Sequence, residues 1–171
     1  HRAFPELLLS VDTFYSDIAR ETVHAGASFV NDISGGSMDE NMLPVVAGLN
    51  VPYICMHMRG KPQTMQSLTN YTNLKLELID YFKDRITLCR NNGIKDIILD
   101  PGFGFAKTIQ QNFELLNHLD LLQILELPIL VGISRKSINH KTLEITPEES
   151  LNGTTLLNTV ALMKGAKILR V

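Results

Sequence analysis

Residues 96 to 105 read Asp-Ile-Ile-Leu-Asp-Pro-Gly-Phe-Gly-Phe, and the fold class turns on this stretch. The apolar run from Asp96 to Leu99 has the length of one buried strand, and it ends on a carboxylate followed by a proline and two glycines. Strands that are apolar throughout and end in polar, permissive loops belong to parallel α/β folds, whose ligand crevices lie at the carboxyl ends of the strands.

The arrangement recurs on both sides of that stretch. Apolar, β-rich runs occupy Leu7 to Val11, Ser28 to Val30, Val51 to Cys55, Ile129 to Ile133 and Ala166 to Leu169. Segments with helical spacing alternate with them, at Tyr15 to Ala25, Glu40 to Ala47, Tyr71 to Asn91, Gln111 to Ile124 and Pro147 to Lys164. Such alternation implies parallel pairing through right-handed crossovers. Asp39 is expected to cap the helix that follows it, and Thr146-Pro147-Glu148-Glu149 to open the last one. Gly26, Gly93 and Gly165 stand where helices should stop. A (β/α)8 barrel takes about 31 residues per unit, so 171 residues correspond to five or six units. An open doubly wound sheet fits the same periodicity.

Composition narrows the function. With 44% apolar residues the chain can bury one core, and no linker or low-complexity segment marks a second domain. A formal net charge of -2 offers no field for a nucleic-acid backbone or an anionic membrane surface. No apolar stretch approaches a membrane span, and His1 to Glu6 lack the layout of a signal peptide. Cys55 and Cys89 fit no ligand spacing, which points to a reducing cytoplasm. The start on His1 rather than methionine suggests a piece of a longer protein.

Each apolar run closes on polar side chains: Ser10 to Thr13, Asn31-Asp32, His57, Asp100, Ser134 to Lys136, and Arg170. One such residue often does no more than cap a helix. Asp12, Asn31, Asp100 and Lys136 together imply convergence on one mouth, because buried carboxylates and a buried lysine need partners. Asp32 should face the other way by strand alternation and serve the structure. His57 has no second histidine at a ligand spacing and reads as structural. Phe103 reads as core, whereas an aromatic ring beside Asp100 suits a flat heterocycle. The Gly132 to Ser137 stretch lacks P-loop spacing but can grip an anionic or carbonyl-bearing ligand.

In order and content these motifs resemble those of the dihydropteroate synthases. The matching stretches are Ser-Val-Asp-Thr from residue 10, Asn-Asp-Ile-Ser-Gly-Gly from 31, Met-His-Met-Arg-Gly from 56, Thr-Met-Gln from 64, Asp-Pro-Gly-Phe-Gly-Phe from 100 and Ser-Arg-Lys-Ser from 134. The resemblance implies an α/β TIM (β/α)8 barrel with roughly strands 3 to 8 in this chain. Residues 1–171 would form a single, incomplete pterin-binding barrel domain, without the first two βα units and the last helix. It also implies an enzyme of folate biosynthesis, a target of sulfonamides, that joins 6-hydroxymethyl-7,8-dihydropterin diphosphate to p-aminobenzoate.

By the same resemblance Asp12, Asn31, Ile33, Met56, Asp100 and Lys136 surround the pterin, and Asp100 and Lys136 are catalytic. Phe105, Lys136 and Ser137 lie towards p-aminobenzoate. Arg170 holds the diphosphate with Mg2+, whose protein ligand is expected in an N-terminal loop preceding this chain. Ala106 departs from a common glycine. Small molecules are the expected partners, and a homodimer is left open. The alternatives are a pterin-binding methyltransferase domain, which Ser134 to Ser137 speaks against, and a noncatalytic truncated barrel.

Overall fold

The computed structural model describes residues 4–61 and 63–171, and the side chain of Gln66 lies outside the described part; so do His1 to Ala3. Among the described residues, six strands and six helices alternate, save that two helices stand between the last two strands: β1 (Ser10–Asp12), α1 (Ser16–His24), β2 (Phe29–Asp32), α2 (Met42–Leu49), β3 (Tyr53–Met56), α3 (Leu74–Asn91), β4 (Ile97–Asp100), α4 (Ile109–Asn117), β5 (Leu130–Val131), α5 (Ser137–His140), α6 (Leu151–Met163) and β6 (Ile168–Leu169). Short 3-10 turns stand at Met65–Ser67 and Leu119–Leu125.

The strand order separates the two α/β architectures. β1 to β4 pair in sequence order, all parallel. A parallel bridge from Leu99 to Ile129 leads on to β5, which pairs parallel with β6. A doubly wound sheet reverses direction at a switch point, whereas this order never does. It is the order of a barrel wall.

The two strand faces carry different cores. Val30, Tyr53, Cys55, Ile97, Leu99, Ile129 and Val131 point outward into one large cluster with Phe82 of α3, Leu115 of α4 and Ala161 of α6. Each large, fully buried side chain there contributes roughly 1.5–3 kcal/mol. The inward face holds a small cluster of Ile54, Ile98 and Leu130 with Phe29 and Ile168. Period-two alternation therefore points the last inward residue of each strand into the mouth above that cluster. Cys55 and Cys89, distant in sequence, meet in the outer layer as free thiols, and their mutual hydrogen bond and burial push the Cys55 thiol up.

Several local expectations shift. Asp39 stands ahead of the N-cap of α2, Asn41, whose amide its Oδ1 accepts at 2.9 Å; its Oδ2 also accepts the Ser16 amide at 2.7 Å, capping α1 from 23 residues away, and these bonds, the one to Ser16 foremost, hold it below the usual carboxylate range. The helix expected over Gln111 to Ile124 begins at Ile109 with a capping box between Thr108 and Gln111, stops at Asn117 and resumes as a 3-10 turn. Thr146 and Glu149 also bond reciprocally, but around a turn; α6 starts at Leu151. A further short helix, α5, follows Lys136 where the sequence marks no element. Gly26, Gly93 and Gly165 end their helices with positive φ, as expected.

Candidate active site

The inward residues at the carboxyl ends of the strands are Asp12, Asn31, Met56, Asp100 and, just past β6, Arg170. The registers Asp12 to Asn31 and Met56 to Asp100 set neighbours side by side. The Asn31 amide donates to Asp12, while its own Oδ1 is buried and finds no partner among the described residues. An acceptor left unpaired in such a place awaits a donor, since an unmade buried hydrogen bond costs about 1–3 kcal/mol. Met56 is fully buried. Ile33, half-buried, lines a cleft beside Asp12, Thr13 and Phe14.

Asp100 is the most enclosed charge of the mouth, at 1% exposure. Its Oδ1 accepts the Gly102 amide at 2.8 Å and its Oδ2 accepts Arg170 Nη2 at 3.0 Å. Gly132, on the neighbouring strand end, makes room for that guanidinium: a Cβ there would stand 2.9 Å from Nη2.

The 100–107 loop is fixed from several sides. Asn112 accepts the Gly104 amide at 2.7 Å, Tyr71 donates to the Ala106 carbonyl at 2.9 Å, and Lys136 Nζ donates to the Phe103 carbonyl at 2.6 Å. Gly102 has φ +70°, and any side chain there would collide with the His57 carbonyl. Phe103 is fully buried in the outer core. Phe105 turns instead to the mouth, where Lys136 Nζ lies 4.8 Å from its ring centre. Burial pulls the Lys136 ammonium down to about 8, against the pull of Asp100 and with the push of Arg170. Ser137, half-buried, opens α5 one residue further on.

Lys107 is the residue that sequence reasoning passes over. It is buried at 5% exposure, with Nζ 3.0 Å from His57 Nδ1 and 3.1 Å from the carbonyls of Gly102 and Phe105. Burial lowers it to about 7, with Asp100 pulling the other way. Its partner His57 is held well below its ordinary value by burial and by Lys107 itself, and packs edge-on to Tyr81 at 4.7 Å. The one signal in the sequence is a lysine directly before the cap residue Thr108, at the end of a glycine-rich loop.

Asp32 faces away from the mouth. It accepts the Tyr53 hydroxyl at 2.7 Å, the Ser34 amide and hydroxyl at 2.7 Å each, and the Gly36 amide at 2.8 Å. Among the described residues no group of three or more His, Cys, Asp or Glu side chains is arranged to hold a metal ion, and no helix is long and apolar enough to cross a membrane.

Known proteins resemble this chain in sequence and fold. A dihydropteroate synthase of Synechocystis sp. is 44% identical over 169 residues, covering 97% of this chain and 58% of that relative. The chain thus spans little more than half the length of the curated relatives it matches. The solved dihydropteroate synthase of Yersinia pestis, in a sulfonamide drug complex, superposes with a TM-score of 0.95 at 37% identity over 99% of this chain and 63% of that one. That of Xanthomonas albilineans, with 4-aminobenzoic acid, gives a TM-score of 0.89 at 36% identity over 96% of this chain and 59% of that one. The family model described as pterin binding enzyme matches residues 1–171, and with this barrel wall and its polar mouth the chain belongs to that family.

Proposed function

We propose that the chain carries the pterin-binding half of a dihydropteroate synthase, which condenses 6-hydroxymethyl-7,8-dihydropterin diphosphate with p-aminobenzoate to give 7,8-dihydropteroate and diphosphate. The observation that carries the reading is a pair of buried, inward strand-end groups at one mouth, the Asp100 carboxylate and the Asn31 Oδ1 that finds no partner among the described residues. A carboxylate accepts two parallel hydrogen bonds from an aminopyrimidinone edge, and Asn31 Oδ1 accepts a further ring N–H. Met56 and Ile33 supply apolar walls, and Asp12 holds the Asn31 amide in place.

Bond making then needs positioning more than proton transfer. The C–O bond to the diphosphate breaks, the electron-rich pterin carries the positive charge that develops, and the arylamine nitrogen forms the new C–N bond before losing a proton to solvent. A neutral arylamine needs no general base. Phe105 and Lys136, stacked as cation and ring, border the side from which the arylamine approaches, with Ser137 beside them. Arg170 takes the leaving diphosphate. Mg2+ is the ion the family reading implies; among the described residues no group of three or more His, Cys, Asp or Glu side chains is arranged to hold it.

The Ser134 to Ser137 loop at the mouth favours the synthase over a pterin-dependent methyltransferase, because two cations and two hydroxyls suit an anionic second substrate. The test is calorimetric titration of the dihydropterin diphosphate into the wild type and Asp100→Ala. The variant should lose at least about tenfold in affinity, the size of one charge-assisted hydrogen bond. Equal affinities would remove Asp100 from the site.

A further inference from the structure

We infer that Lys107 is a positioning residue for the arylamine side of the site: its amine gathers the loop after β4 and so sets the ring of Phe105 at the mouth. The inference rests on the synthase reading above. A lysine is almost never fully buried unless it is paired with an opposite charge. Lys107 is buried at 5% exposure and forms no ion pair among the described residues. Its Nζ lies instead 3.0 Å from His57 Nδ1 and donates to the carbonyls of Gly102 and Phe105 at 3.1 Å each.

Those two carbonyls bracket the bend that carries the ring. The Phe105 amide closes on the Gly102 carbonyl at 3.1 Å, and Gly102 and Gly104 have φ +70° and +81°. Glycines permit such a bend but do not hold it, since they have the most conformational freedom to lose on folding. Holding falls to side chains from elsewhere. Lys136 Nζ donates to the Phe103 carbonyl, Tyr71 donates to that of Ala106, and Asn112 accepts the Gly104 amide. Lys107 grips the bend at both ends, at Gly102 where the loop leaves Asp100 and at Phe105 where the ring turns towards Lys136.

His57 gives the amine a fixed point outside the loop. It follows β3, its amide donates to the Asp100 carbonyl at 2.9 Å, and its own carbonyl abuts Gly102. A protonated amine offers an N–H to each of the three neighbours, whereas a neutral one donates to the two carbonyls and accepts Nδ1–H from the other imidazole tautomer. The clamp is complete in either form. Asp100 has supports of its own in the Gly102 amide and Arg170. The pterin edge therefore leans less on Lys107 than the ring of Phe105 does.

The experiment is calorimetric titration of 6-hydroxymethyl-7,8-dihydropterin, which fills the pterin site only, and of 7,8-dihydropteroate, which adds the aminobenzoate, into the wild type, Lys107→Met and Lys107→Gln. The readout is the ratio of the two affinities, which a general loosening of the site leaves unmoved. The wild type should prefer the dihydropteroate, and Lys107→Met should lose at least about fivefold of that preference, the size of one aromatic or cation–π contact. Lys107→Gln is one atom shorter, falls short of the two carbonyls and should show the same loss; it answers the question where the methionine variant does not fold. A preference kept in full by a folded variant would overturn the positioning role and leave the pterin site standing, and so would a wild type that binds both ligands equally. Binding of neither ligand by the wild type would bring down the synthase reading and the inference together.

Discussion

Replacing Lys107 with methionine should remove a distinct rise of stability with pH. The ammonium is lowered from 10.5 to about 7 by burial, and the group is nearly inaccessible. At about 1.4 kcal/mol per pH unit, that difference corresponds to roughly 5 kcal/mol of cost when the lysine is charged in the folded state. Below pH 7 both the folded and unfolded chains hold the proton, so the cost is present in full. Between pH 7 and 10.5 the folded chain sheds the proton while the unfolded chain keeps it, and stability climbs with pH. The neutral amine still donates to the carbonyls of Gly102 and Phe105 and can accept from Nδ1–H of neutral His57. A thioether side chain in its place has no proton to exchange and leaves three polar groups unpaired. Urea unfolding at pH 7, 8, 9 and 10 should therefore show the wild type gaining roughly 4 kcal/mol relative to Lys107→Met across the range. Lys136 and the buried tyrosines also titrate, but they are common to both proteins and cancel in the difference. Parallel curves would refute the reasoning, for they would mean that Lys107 keeps its ordinary value in the fold.

Two further outcomes separate structure from site. Asp32→Ala strips the Tyr53 hydroxyl and the Ser34 and Gly36 amides of their buried acceptor, so urea unfolding should show a loss of roughly 3 kcal/mol or more, while pterin affinity measured by calorimetry on the folded protein stays unchanged because Asp32 faces the helices. Ala106 has φ +48°, a left-handed backbone that costs a side-chain-bearing residue roughly 1–2 kcal/mol; Ala106→Gly should raise the urea midpoint by an amount worth up to about 1 kcal/mol once glycine's greater unfolded freedom is deducted.

The barrel wall is legible in the sequence because its strands are buried on both faces, and apolar runs such as Ile97 to Leu99 need no distant partner to be recognised. The orientations of Asn31 and Asp32 are legible for a similar reason, since alternation along a strand is a local rule. What escapes depends on chain segments brought together in space. Asp39 caps α1 as well as holding the approach to α2, because the loop after β2 folds back over the start of α1, and nothing local states that. Lys107 pairs with His57 across 50 residues and Arg170 with Asp100 across 70. The helix over Gln111 to Ile124 reads as continuous because its leucine spacing persists past His118 even where the backbone tightens into a 3-10 turn. Sequence assigns Asp100 and Arg170 to different parts of one ligand, and only the geometry shows that they hold each other.

The opposed faces of the strands also bear on how such a protein diverges. Stability accumulates on the outward side, in the layer around Val30, Tyr53, Leu99 and Val131, whereas the mouth hangs on single inward residues at 12, 31, 56, 100 and 170. Drift at those few positions alters what is held without loosening the wall beneath, and drift one residue away does the reverse. A lineage built on this wall can therefore exchange its ligand in small steps, each tolerated by the fold, and its record of change should beat with a period of two along every strand.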